Sequence, residues 1–161
     1  MPNIDIIIAQ SVLSTDQLAA IGCIAVESAY LEDTVETIIY NLSGLTREKG
    51  EIFIDKFMLD SKLNLLKELS IIKFKSKKRK LFLSELIGEI KSANSERIIA
   101  IHGLWTQDIN ALLSGHGAKA MRSNSRRPAS LSAHKLEDVA KRISDGHYEL
   151  CMYFQKFLIP K

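Results

Sequence analysis

The stretch Lys80–Trp105, KLFLSELIGEIKSANSERIIAIHGLW, decides the fold reading. Leu83, Leu86, Ile87, Ile90 and Ala93 recur at three- and four-residue spacing, which lines apolar side chains along one face of an α-helix. The pattern predicts a helix from about Lys80 through Arg97 to a stop at Gly103, because glycine takes the left-handed backbone that ends helices at no steric cost. Near its end the helix carries Arg97, a permanent planar cation that can clamp phosphate oxygens, and His102, which can exchange a proton near neutral pH. The same two residues also have a purely structural use, the Arg on a solvated face and the His against the last carbonyls.

Outward from this helix, three more apolar patterns of the same period appear. Ser14 and Gln17 form a capping box, followed by Leu18, Ile21, Ala25, Leu31, Val35, Ile38 and Leu42 until Ser43-Gly44. A second runs from about Thr46 through Phe53, Phe57, Leu63, Leu66 and Leu69, with Gly50 as its weak point. The last follows a Ser132 cap with Leu136, Val139, Ala140, Ile143, His147, Leu150, Phe154 and Phe157, up to Pro160. Between the third and fourth patterns lies Ser114-Gly115-His116-Gly117 and then Arg126-Arg127-Pro128, punctuation that suggests a short hairpin or flap with a basic foot. The expectation is an all-α antiparallel up-and-down four-helix bundle with a hairpin-like insertion at about residues 104–130, forming a single domain over residues 1–161.

Composition narrows the class. Hydrophobic content of 46% with 25% charged residues is globular, and no apolar run approaches the roughly 20 residues a membrane span needs. Ile4-Asp5-Ile6-Ile7-Ile8 is too short and lacks a basic flank for a signal peptide, so a cytoplasmic protein with no membrane partner is expected. Cys23 and Cys151 fall in separate apolar patterns and read as buried, reduced core residues. The net charge is only +3, yet Lys73, Lys75, Lys77, Lys78, Arg79 and Lys80 place six positive charges in one run with no negative one. Such a local strip can attract phosphates, with Arg126 and Arg127 as a second basic pair, or can simply be a solvated inter-helix loop.

Several chemistries lack their residues. A di-iron carboxylate centre in a bundle needs a Glu three residues before a His, and here Ile99, Leu113, Leu131 and Ser144 stand three before His102, His116, His134 and His147. The two Cys and four His show no zinc spacing, so no metal or cofactor is expected. No local motif marks a Ser or Cys nucleophile. His147, inside an apolar stripe, reads as a hydrogen-bonded core or interface residue, whereas His116 and His134 read as exposed. Arg97 and His102 are five positions apart, about 140° around and about 7.5 Å along a straight helix. Either the helix is distorted around Ala93-Asn94-Ser95, or long side chains reach one groove, or two chains bring two pairs together about a twofold axis.

The Arg, the His four intervening residues later near a helix end, the bundle pattern and the insertion together resemble the HEPN superfamily, with Glu96-Arg97, Ala100, His102-Gly103 and Trp105 echoing a common bacterial form of its motif. The resemblance covers most of the chain in element order. It implies a homodimeric helical bundle, often a metal-independent endoribonuclease of toxin or antiviral systems and otherwise a noncatalytic interaction or nucleotide-binding module. Carried over by position, Arg97 and His102 become the catalytic pair, and Asn94 and Glu96 could orient it. The chain departs from the pattern at Ile98, where a polar residue, often Asn, is common. RNA and a cognate antitoxin or other protein are the partners so implied.

Overall fold

The computed structural model describes residues 13–102, 104–106, 119–121 and 129–158, the three short strands and residues 156–158 as backbone only. Five helices and three strands are present: α1 Thr15–Ser43, α2 Arg47–Ile54, α3 Leu59–Lys73, α4 Lys77–His102, β1 Leu104–Thr106, β2 Lys119–Met121, β3 Ala129–Ser130 and α5 Ala133–Leu158. The chain divides into two compact units, Met1–Val26 with Ser95–Lys141, and Glu27–Asn94 with Arg142–Lys161. No helix among the described residues is long and apolar enough to cross a membrane.

In the first unit, the start of α1 is closed by the expected capping box. Gln17 N–H donates to Ser14 Oγ at 3.2 Å and Ser14 N–H to Gln17 Oε1 at 2.9 Å. Gln17 is buried, and its Nε2 also donates to the Leu131 carbonyl at 2.9 Å, so one amide satisfies both a helix end and the segment entering α5. Ser132 caps α5, its Oγ accepting from Lys135 N–H at 3.3 Å. Within the expected insertion the chain forms a small antiparallel sheet in the order β1-β2-β3, with Trp105 opposite Ala120 and Ala120 opposite Ala129. His116 lies outside the described residues.

Among the described residues, most of the buried apolar side chains belong to the second unit, among them Leu31, Val35, Ile38, Leu63, Leu66, Leu83, Ile90, Ile143 and Phe154. Two glycines set close helix contacts there. A Cβ on Gly50 would overlap the Tyr40 ring, and one on Gly146 would sit 2.7 Å from Ile90 Cγ1.

Several expectations need correction. The second helical pattern is two helices, broken at residues 55–58, and Gly50 lies inside α2 against Tyr40. Phe53 and Phe57, expected in the apolar stripe, are exposed, while Ile54 and Leu59 are buried in their stead. In the first half of α1 the buried residues are Gln17, Ala20 and Ile24, with Leu18 and Ile21 half-buried and Ala25 exposed. The buried series Ala20, Ile24, Ser28, Leu31, Val35, Ile38 and Leu42 steps by three and four, so the expected phase holds from Leu31 onward and is one residue out only before it. Neither cysteine is core: Cys23 is exposed and Cys151 half-buried, both unpaired to sulfur. Helix α4 begins at Lys77, so Lys77 to Lys80 form its first turn rather than a loop.

Candidate functional site

Arg97 and His102 both lie in the last turns of α4, which is continuous through residues 93–95. On a regular helix the two are about 140° apart. His102 is the exposed last residue of the helix, where a protonated imidazole would meet the partial negative charge of the unsatisfied carbonyls. Arg97 is half-buried, and its Nε is fully buried with no hydrogen-bond acceptor among the described residues. A buried charged donor left without an acceptor costs more than a neutral one, on the order of 1–3 kcal/mol or above. An anionic oxygen brought to Arg97 would recover that cost.

The supporting residues do different things. Asn94 is almost fully buried and its Nδ2 donates to Asp60 Oδ1 at 3.0 Å, tying α4 to α3 in the second unit, while its Oδ1 has no partner among the described residues. Glu96 is half-buried and sits about 100° from Arg97 around the helix. Ile98 and Ile101 are half-buried beside the pair. Trp105 is paired in β1, next to the helix end in sequence.

The basic run lies in the second unit. Lys73 ends α3, Lys75 is in the connection, and Lys77, Lys78, Arg79 and Lys80 occupy the first turn of α4, all exposed except the half-buried Lys80. Four cations at the positive end of a helix macrodipole repel it and one another, so an external negative group stabilises this turn. Ser76 holds the helix start, its Oγ accepting from Arg79 N–H at 3.4 Å, and Tyr153 Oη donates to the Arg79 carbonyl at 2.9 Å. Burial raises the Tyr153 pKa, against the opposing charge of Arg79, so this hydroxyl stays a donor at neutral pH. Arg126 and Arg127 lie outside the described residues.

Two histidines fall where their patterns put them. His147 is half-buried, with Nε2 2.9 Å from Thr34 Oγ1 and its ring stacked on Tyr30, and His134 is exposed. The sequence reading missed the most buried charge in the second unit. Lys62 Nζ donates to Glu32 Oε1 and to Glu36 Oε1, each at 2.6 Å, with only 3% of its side chain exposed. Burial pulls the Lys62 pKa down, but the two carboxylates outweigh it and the net shift is upward, so the ammonium is held charged. A signal existed: Lys62 interrupts the apolar stripe of Leu59, Leu63 and Leu66, and Glu32 and Glu36 are spaced one helical turn apart on α1. Among the described residues no three His, Cys, Asp or Glu side chains are grouped to hold a metal ion.

Comparison with known proteins gives no matching family model, no similar curated protein and no similar solved structure. The HEPN likeness thus rests on the sequence alone, on the residues around Arg97 and His102 and the order of the helical patterns.

Proposed function

We propose that the end of α4 is a phosphodiester-handling site and that the chain is a HEPN-like, metal-independent endoribonuclease of toxin or defence type, acting on RNA in the cytoplasm. The observation that carries this reading is Arg97, a permanent cation whose buried Nε has no acceptor among the described residues, on the same helix end as an exposed His102. The ribose 2′-hydroxyl attacks the adjacent phosphorus, and the 5′-oxygen of the next nucleotide leaves. His102 accepts or donates the proton, and Arg97 balances charge gathering on the phosphorane oxygens. Because the two side chains diverge on one helix, the working site is composite, with a second copy supplying the complementary residue across a twofold axis. In this reading the helices close into an antiparallel up-and-down four-helix bundle with residues 104–130 as its insertion, and the basic run guides the RNA backbone.

The test is cleavage of single-stranded RNA in excess chelator. Arg97→Ala and His102→Ala should each lower the rate by about a hundredfold or more, with unchanged melting temperature, and DNA of the same sequence should resist. Cleavage that survives both substitutions refutes the assignment.

A second reading, a noncatalytic helical interaction module, is favoured by the large apolar side chains on and just after α2. Ile52, Phe53 and Met58 are 76%, 64% and 80% exposed, and large apolar side chains left this open within seven residues of each other suit a contact surface. In that case Arg97→Ala and His102→Ala shift assembly or stability and no RNA is cut.

A further inference from the structure

We infer that a second copy of this chain docks on the first half of α4, antiparallel and about a twofold axis between Leu81 and Phe82, pairing Lys78 of each copy with Glu85 of the other. The inference does not depend on the nuclease reading.

The four residues form one stripe. At 100° per residue, Lys78, Leu81, Phe82 and Glu85 fall within about 100° of the helix circumference. All four are exposed, and the two apolar ones, Leu81 and Phe82, are 54% and 42% exposed. The stripe reads cation, apolar, apolar, anion, and reversing its direction superposes each charge on its opposite. A twofold contact requires this, since whatever residue i meets on the partner, that partner residue must meet i in return. Measured from the midpoint of Leu81 and Phe82, Lys78 and Glu85 each lie about 5 Å along the axis, on opposite sides. Antiparallel pairing therefore seats two ion pairs around four apolar side chains. Neither Lys78 nor Glu85 forms an ion pair with another described residue.

The surroundings extend the match. Phe82 is held against Tyr153, ring centroids 5.5 Å apart and nearly parallel, so the apolar centre is rigid before contact. Beside it, Phe82, Leu86 and Tyr148 line an open groove of about 400 Å³ rimmed by Glu85, Glu89, Asp145 and Glu149. Under the twofold, Leu81 meets Leu81 and Phe82 meets Phe82 of the second copy, and Arg79, on the same flank as Phe82, is carried toward the carboxylate rim of the other copy. Each copy thus presents the charge that the other lacks, and the crowded cations of the first turn of α4 acquire carboxylate partners. Arg97 and His102 lie outside this four-residue stripe, so the contact is separate from the composite cleft proposed above.

Charge exchange tests the register. Self-association of the full chain is measured by sedimentation velocity at low and high salt for the wild type, Lys78→Glu, Glu85→Lys and the double variant. Each single substitution sets like charges face to face twice and should weaken association by about tenfold or more, whereas the double variant restores opposite charges and should return to within about threefold of wild type. Both positions are exposed, so helix content and melting temperature should not fall; if either fails that check, Lys78→Gln and Glu85→Gln should each weaken association by about threefold instead. Association should also fall as salt is raised. Four proteins with the same concentration dependence, or a double variant as weak as the singles, overturn the inference. So does Glu85→Lys that tightens RNA binding while leaving sedimentation unaltered, because the strip would then serve only nucleic acid.

Discussion

Removing the Lys62 ammonium should destabilise the protein more than any exposed substitution. Lys62→Met keeps the volume of the side chain and its apolar contacts but leaves Glu32 and Glu36, one turn apart on α1, facing a buried position with no cation between them. Breaking a buried ion pair by deleting one partner costs about 3–5 kcal/mol. Glu32 remains 33% exposed and Glu36 16% exposed, so water relieves part of the loss and the lower end, about 3 kcal/mol, is expected. For a chain of this length that lowers the melting temperature by about 6–12 °C. Replacing all three, Lys62→Met with Glu32→Gln and Glu36→Gln, removes the unpaired charges and should recover most of the loss. Because the folded pKa of Lys62 is raised, its contribution is complete below the unfolded value near 10.4 and is lost as pH rises through the higher folded value. The difference between wild type and Lys62→Met, read from urea titrations, should therefore be constant from pH 6 to 9 and shrink only in strong alkali. A loss under about 1 kcal/mol at pH 7 would refute the reasoning, since the pair would then behave as a screened surface bridge.

Gly50→Ala should lower stability by about 1–3 kcal/mol because its methyl meets the buried Tyr40 ring, whereas Gly88→Ala, with open space around the added carbon, should raise it by about 0.5–1 kcal/mol through helix propensity; equal effects in thermal melts would show that the Tyr40 contact is not limiting. Gln17→Ala should cost about 1–3 kcal/mol, and Gln17→Glu, which keeps the capping acceptor but cannot donate to the Leu131 carbonyl, should retain the cap and still lose stability. If the basic run binds RNA, changing Lys75, Lys77, Lys78 and Lys80 to Gln should weaken binding to all sequences alike. Its logarithmic salt slope should fall by roughly 0.7 for each phosphate that is no longer neutralised, and an unchanged slope would rule out that role.

The helical character of the chain and the ends of its long helices are local properties, and the sequence carried them. The Ser14/Gln17 box and the Ser132 cap are satisfied within a few residues of themselves, and Gly44 takes the positive φ of 76° that a helix stop requires. The buried residues of α4, from Leu83 to Ala93, were legible because one clean period ran through a segment with few competing apolar positions.

Tertiary packing decided what periodicity leaves degenerate. In α1, Leu18, Ile21, Ile24 and Ala25 offer several apolar phases, and only the neighbouring segments select the one that buries Ile24. In α2, the overlap a side chain at position 50 would make with Tyr40 shows why that face turns inward, leaving Ile52 and Phe53 outside against their hydrophobicity. The Lys62 cluster joins residues 26 and 30 positions apart, and no spacing rule within one helix identifies such a pair. At the candidate site the sequence named Arg97 and His102, while the structure added that one continuous helix carries both and that the Arg97 Nε is buried without an acceptor among the described residues. The divergence of the pair follows from 3.6 residues per turn and could be read from spacing. The desolvation of that guanidinium nitrogen depends on what surrounds it, and only the folded chain determines that.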